Sequence, residues 1–156
     1  MNEVHKLDFY TQHSQFYICD GHSPLKTDSH EFWTEEAHES RLAVEEGILG
    51  VGTECYGPVK GELEVLKEEN TTLETDVFDH IVEGGLEINS GRLRILDCPN
   101  SSIELDIPLA DGSYRVRIYF SNLSSVDGDE GHDFYRIEIW KGTGPIRNVI
   151  KMYNRA

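Results

Sequence analysis

Two neighbouring segments with a two-residue alternation constrain the fold of this chain more than any other feature. Within Ser113–Ser121, apolar side chains alternate with arginine and tyrosine. Within Asp133–Lys141, they alternate with Arg136, Glu138 and Trp140. A period of two is typical of β-strands that bury one face. The pattern predicts two paired strands, each with one face in a hydrophobic core.

The loop between these two predicted strands is acidic. It contains Asp127, Asp129, Glu130 and Asp133. A rigid pair of strands that carries a variable loop is a common way to present a binding surface. We therefore predict that these four carboxylates contact a protein partner, and that the partner is basic.

Two other interpretations of the acidic loop stay open, a solvent-exposed hairpin loop without a partner and a cation site. A calcium loop of the EF-hand type requires glycine at its sixth position and glutamate at its twelfth. Counted from Asp127, this chain has His132 and Glu138 there, and Glu138 falls inside a predicted strand. The calcium interpretation is therefore weak, and we predict no metal site.

Aromatic and arginine side chains on the polar faces of the same strands suggest a contact surface. If the alternation assigns the faces correctly, Tyr119 and Trp140 are exposed, as are Phe134 and Tyr10. Tyrosine, tryptophan and arginine dominate the energetics of protein interfaces. Tyr119 and Trp140 are thus predicted to bind the partner. The alternative is that these positions face a helix or a second sheet.

The formal charge narrows the class of partner. The chain has 29 acidic and 14 basic residues, a net charge of −15. Such a charge repels nucleic acid, whose phosphates require lysine and arginine, and it steers a protein towards basic partners. It is also compatible with the general acidity of many bacterial cytoplasmic proteins. Because no long apolar run and no secretory signal are visible, we expect no membrane segment and a cytoplasmic location.

The remaining pattern predicts a mainly β fold. About nine strands follow each other at the spacing of a β-sandwich or barrel, and one helix is expected from Thr34 to Gly47. Gly84-Gly85 has the composition of a hairpin turn, and the polar stretch Glu68–Asp79 that of a flexible connection. We predict one domain over residues 1–156, an antiparallel β-sandwich with one α-helix packed on it.

No motif in the chain indicates catalysis. Cys19, Cys55 and Cys98 are odd in number and widely spaced, and no nucleophile turn or phosphate-binding loop is present. Five histidines lie in the first quarter without a metal-binding spacing: His5, His13, His22, His30 and His38. We predict a non-enzymatic protein with no catalytic residue, metal or cofactor.

Two alternatives of other classes stay open. The first is an enzyme or small-ligand binder with a pocket near His13, Tyr10 and Trp33. The second is a module that self-associates through a sheet edge. The sequence leaves the oligomeric state undetermined.

Several short motifs resemble the competence protein J family, the inhibitors of a DNA-entry nuclease. They comprise Tyr10, His13 to Phe16, Trp33 to Ala37, Leu105 to Pro108, and Gly112 to Tyr114. The C-terminal half is also similar to uncharacterised bacterial proteins. The resemblance implies a small β-rich protein that binds and blocks a nuclease. Since a nuclease that grips DNA presents a basic cleft, an acidic blocker agrees with the charge.

Overall fold

Two β-sheets form the framework of the computed structural model, which describes residues 3–22, 32–72 and 74–153. In sheet order, the six-stranded sheet comprises β1 (Val4–Tyr10), β5 (Pro58–Val65), β10 (Phe134–Lys141), β9 (Gly112–Ser121), β6 (His80–Ile88) and β11 (Arg147–Lys151). The five-stranded sheet comprises β3 (Leu42–Glu45), β4 (Ile48–Gly52), β2 (Gln15–Asp20), β7 (Arg92–Leu96) and β8 (Ile103–Pro108). The predicted mainly β sandwich is confirmed, with eleven strands in the described residues instead of about nine.

The two alternating segments form the antiparallel hairpin β9–β10 in the middle of the six-stranded sheet. Ile118 lies opposite Ile137, and both side chains are fully buried. They pack in one cluster with Phe16, Ile18 and Ile95 of the other sheet. Because every second residue of each strand enters this layer, the alternation predicts the core-facing side correctly.

The single α-helix in the described residues, α1 (Glu35–Ser40), is shorter than the sequence predicts. Thr34 caps it as expected, since its hydroxyl accepts a hydrogen bond from the Ala37 amide at 3.1 Å. The helix ends at Arg41, which has a left-handed conformation with φ 62°. The apolar residues after Arg41 form strand β3, which pairs with β4. The predicted extension of the helix to Gly47 is therefore wrong. No helix in residues 3–22, 32–72 and 74–153 is long and apolar enough to cross a membrane.

Gly84-Gly85 is not a turn. Both residues lie inside β6, which continues through them and pairs with β9 along its whole length. A β-carbon at Gly84 would lie 2.9 Å from Leu42 Cδ2 and 3.2 Å from the Ile146 carbonyl oxygen. The glycine is required because the second sheet and the segment before β11 approach the strand closely.

A long crossover covers the outer face of the six-stranded sheet. β5 and β6 run in the same direction but are separated in the sheet by β10 and β9. Parallel strands require a crossover connection, and in its described residues, 66–72 and 74–79, Asn70 contacts Arg117 and Glu138 while Phe78 contacts Tyr119. The polar stretch that the sequence assigns to a flexible connection therefore packs against a sheet face.

Candidate partner-binding surface

The loop between β9 and β10 is anchored at its start and contains an acidic turn at Asp127–Glu130. Leu123 is buried, and its amide donates a hydrogen bond to the Asp79 carboxylate at 2.9 Å. Asp127 and Glu130 exchange two backbone hydrogen bonds of 2.7 and 3.0 Å around Gly128, whose φ is 63°. Asp127, Asp129 and Glu130 are exposed, and none of them forms an ion pair within the described residues. This tight turn therefore presents three unneutralised carboxylates to solvent.

Asp133, the fourth predicted contact, is buried and has a structural position instead of an exposed one. Its carboxylate accepts a short hydrogen bond from the Tyr135 hydroxyl, and that hydroxyl accepts one from the Glu54 amide at 2.9 Å. Burial, followed by the hydrogen bond and charge of Asp133, raises the pKa of Tyr135, so the phenol stays protonated as the donor. Asp133 thus connects the end of the loop to Glu54 through the Tyr135 hydroxyl.

Two exposed tyrosines lie beside the acidic turn. The side chains of Tyr10 and Tyr56 are 74% and 44% exposed. The Tyr56 amide donates to the Gly128 carbonyl at 3.3 Å, which joins this segment to the loop. A β-carbon at Gly57 would lie 3.5 Å from Tyr10 Cδ1 and 3.7 Å from Asp129 Oδ1, so the Tyr10 ring and the Asp129 carboxylate flank the same glycine.

These side chains form one continuous surface. Tyr10, Tyr56, Asp97 and Asp129 line a shallow groove of about 370 Å³. With the two adjacent loop carboxylates they define what we call the acidic–aromatic surface: Tyr10, Tyr56, Asp97, Asp127, Asp129 and Glu130. Exposed tyrosines next to carboxylates suit the recognition of lysine and arginine side chains, through ion pairs and cation–π contacts.

The predicted exposure of Tyr119 and Trp140 is wrong. Their exposed fractions are 3% and 4%. The Phe78 ring lies 4.8 Å from the Tyr119 ring, and the Arg117 guanidinium lies over the Trp140 ring at 4.7 Å. Both aromatic residues do lie on the outer face of the sheet, as the alternation indicates, but Phe78 of the crossover covers Tyr119 and the Arg117 side chain covers Trp140. Phe134 is half-buried, so of the four aromatic residues only Tyr10 is fully exposed.

Charged side chains fill the space between the crossover and the sheet. Arg117 is buried and donates hydrogen bonds to the Glu83 carboxylate at 3.0 Å and the Asn70 carbonyl at 2.9 Å. Glu138, also buried, accepts hydrogen bonds from Tyr119 at 2.5 Å and Arg136 at 2.9 Å. Burial together with the Glu138 carboxylate raises the pKa of Tyr119 to about 12. We call these five sheet residues the buried charge network: Glu83, Arg117, Tyr119, Arg136 and Glu138.

The predicted alternative pocket near His13, Tyr10 and Trp33 is small and divided. His13 and Trp33 line a polar recess of about 210 Å³ together with His38 and Arg41, whereas Tyr10 lines the groove of the acidic–aromatic surface. Arg41 is already paired with Glu54 at 2.8 Å. The recess is smaller than the usual 300–1,000 Å³ of small-molecule sites.

The described residues offer no support for metal or thiol chemistry. No group of three or more histidine, cysteine, aspartate or glutamate side chains is arranged to hold a metal ion in the described part of the chain, and His30 lies outside that part. Burial raises the pKa of Cys19 to about 12 and also raises that of Cys55. A nucleophilic cysteine requires a lowered pKa, so these two thiols are unsuited to the role.

Sequence reasoning missed Tyr56 and Asp97 as surface residues. Tyr56 precedes the Gly57-Pro58 turn and Asp97 follows the end of β7, and an aromatic residue beside a turn signal is a usable sign of exposure. Their proximity to Asp129 is a long-range contact, which no local pattern contains.

Together, these features define an acidic β-sandwich with an exposed acidic–aromatic surface at one end of its central hairpin. Two solved structures are similar to it. One is ComJ from Bacillus subtilis, described as an inhibitor of the DNA-degrading activity of NucA, with 16% identity over 91% of this chain and 99% of ComJ and a TM-score of 0.70. The other is described as crocagin biosynthetic gene J, with 14% identity over 92% of this chain and 99% of that one and a TM-score of 0.57.

No family model and no curated protein sequence matches the chain. The resemblance to competence protein J that the short motifs indicate is thus confirmed at the level of the fold. At such low identity the shared fold does not determine the partner.

Proposed function

We propose that this protein is a non-enzymatic, cytoplasmic inhibitor of a basic protein such as a DNA-cleaving nuclease or a toxin, in the manner of an immunity protein. The observation that carries the proposal is the acidic–aromatic surface, where three exposed carboxylates lie beside two exposed tyrosines. The fold shared with ComJ, an inhibitor of a DNA-degrading activity, supports the nuclease as the partner class.

Electrostatics gives this proposal a mechanism. The DNA-binding cleft of a nuclease is lined with lysine and arginine to neutralise phosphates. Asp127, Asp129 and Glu130 can take the place of those phosphates, while Tyr10 and Tyr56 cover the aliphatic stems of the same basic side chains. An inhibitor that binds in this way blocks the cleft by competition with DNA and needs no reaction of its own.

The test is capture of the partner by the immobilised protein from lysate of the source organism, at NaCl concentrations from about 50 to about 300 mM, a range that shortens the Debye length. Retained proteins are identified by mass spectrometry, and the captured candidate is purified and assayed for DNA cleavage with and without the inhibitor. We expect a basic nuclease that is retained at low salt, released at high salt and inhibited by the protein.

A triple variant assigns the interaction to the surface. D127N/D129N/E130Q removes the three loop charges and should abolish capture at low salt. The matched control E39Q/E68Q/E74Q removes three exposed charges elsewhere and should capture the partner as the wild type does. The proposal is contradicted if the wild type retains no basic protein. It is also contradicted if the two triple variants retain the partner equally.

A further inference from the structure

A second cleft lies far from the acidic–aromatic surface. Its floor and walls come from the turn between β3 and β4, from Gly85 to Glu87 of β6, from the start of β9 and from the segment that follows β10. The acidic loop joins the opposite ends of β9 and β10. β10 has eight residues, so roughly 26 Å separates the two places. The cleft encloses about 520 Å³, which is within the usual range of ligand sites.

The walls of this cleft are largely apolar. Half-buried Val44 lines it, the core residues Leu86 and Tyr114 lie at its base with only 3% and 4% of their surface exposed, and Ile146 lies at its rim with 72% exposed. An isoleucine exposed to this extent beside an open cleft offers an apolar contact to whatever enters. The walls therefore suit an aliphatic chain.

Three carboxylates surround the apolar walls. Glu45, Glu46 and Glu87 line the cleft, and all three are exposed. Ser113 donates a hydrogen bond to Glu87 at 2.5 Å, but none of the three forms an ion pair with another described residue. The negative charge at the cleft is therefore not neutralised from within the described chain.

Among the described residues that line the cleft, Arg115 is the one cation, and its guanidinium is bound to other groups. Arg115 is buried and donates hydrogen bonds to the Glu83 carboxylate at 2.9 and 3.1 Å and to the Pro145 carbonyl at 2.6 Å. Lys141 is exposed nearby, with its Cε 3.6 Å from the position of a β-carbon on Gly112, outside the lining of the cleft. Neither Arg115 nor Lys141 forms an ion pair with the three glutamates.

We propose that this cleft binds a cationic group carried on an aliphatic stem, a guanidinium or ammonium ion of the kind found in arginine, lysine and alkylamines. The stem lies against Val44 and Ile146, and the charged head reaches Glu87 and the glutamates of the β3–β4 turn. The site is separate from the acidic–aromatic surface, so it does not depend on the function proposed above.

Titration of the ¹⁵N-labelled protein followed by NMR tests this site. The probes are Nα-acetyl-arginine methylamide, its neutral citrulline analogue of nearly the same shape, and cadaverine. We expect the arginine probe to shift the amide signals of Gly85, Leu86, Ser113 and Gly144, and to bind about tenfold more tightly than the citrulline probe, as expected for several exposed ion pairs. Tighter binding of the arginine probe than of cadaverine assigns the site to polypeptide side chains, and the reverse order assigns it to free amines.

Matched variants separate local contacts from overall charge. E45Q/E46Q/E87Q should lower the affinity for the arginine probe about tenfold, and I146S should lower it several-fold. E39Q/E68Q/E74Q changes the net charge equally, lies outside the cleft, and should leave the affinity within about twofold of the wild type. Equal affinity for the citrulline and arginine probes, absence of shifts in the cleft, or equal loss in both triple variants would overturn the assignment.

Discussion

At the scale of single residues, His80 connects parts of the chain that are distant in sequence. It is fully buried in β6, with Nε2 2.6 Å from the Ser40 carbonyl oxygen, and Nδ1 accepts a hydrogen bond from the Tyr153 amide at 3.0 Å. An acceptor at Nδ1 requires the neutral ring, which then donates from Nε2. Burial, only partly opposed by the bond to Ser40, lowers the pKa of His80 from 6.5 to about 4.

This lowered pKa makes stability depend on pH in a defined window. Well above pH 6.5 the His80 imidazole is neutral in both the folded and the unfolded state, so the free energy of unfolding is not reduced by this group. As the pH falls from 6.5 to about 4, His80 becomes protonated in the unfolded chain but stays neutral in the folded protein. The free energy of unfolding should fall by about 3 kcal/mol from this group alone. Urea unfolding across this window measures the fall, and NMR titration of His80 to a pKa near 6.5 would contradict the account.

Tyr10 and Tyr56 should contribute to binding and little to folding. Because both rings are exposed, Y10A and Y56A should leave the melting temperature nearly unchanged. Each substitution should weaken the binding of the captured partner by about 2 kcal/mol, the threshold of an interface hot spot. Calorimetry of the purified complex measures the affinity, with V77A, another exposed apolar residue, as the control. A loss of affinity in V77A as large as in the tyrosine variants would remove the tyrosines from the interface.

At the scale of elements, the buried charge network holds the crossover on the sheet. Replacement of Arg117 by methionine leaves Glu83 buried without one of its cationic partners and removes the bond to Asn70. We expect a loss of about 3 kcal/mol or more in unfolding free energy, because a broken buried pair leaves an uncompensated charge. R92M, which removes a more exposed pair with Asp106, should cost less than about 1 kcal/mol. Equal costs in urea unfolding would show that the crossover does not depend on Arg117.

Gly84 tests the close approach of the two sheets. A methyl group there meets Leu42 and the Ile146 backbone, so G84A should destabilise the fold by about 1–3 kcal/mol. At the neighbouring Gly85, an added β-carbon would meet only the Arg115 side chain, at an ordinary 3.5 Å. G85A should therefore be close to neutral in thermal unfolding. The prediction is wrong if the two substitutions have the same effect.

The elements also show what the sequence could and could not predict. Alternation correctly predicted β9, β10 and the face of each that enters the core, because the period of a strand is local information. It assigned Tyr119 and Trp140 to the outer face but could not show that Phe78 covers Tyr119 and that Arg117 covers Trp140. It extended the helix past Arg41 because the short apolar run after that residue fits a helix as well as a strand.

At the scale of the whole molecule, the surplus of carboxylates has two different uses. Some neutralise arginines under the crossover, where Glu83 and Glu138 are buried in the network. Others, among them Asp127, Asp129 and Glu130, are exposed and unpaired within the described residues. A net charge cannot distinguish these uses, which is why the sequence predicted the loop but placed Asp133, a structural residue, among the contacts.

Inhibition of the captured nuclease by the wild type and by D127N/D129N/E130Q shows whether the three loop carboxylates block the DNA-binding cleft. The inhibition constant is measured from the rate of DNA cleavage at about 50 and about 300 mM NaCl, where screening differs strongly. We expect the wild type to inhibit the nuclease more strongly at low salt. The variant should lose most of the inhibition, and the inhibition that remains should depend little on salt. Inhibition by the variant equal to that of the wild type at both salt concentrations would contradict the account.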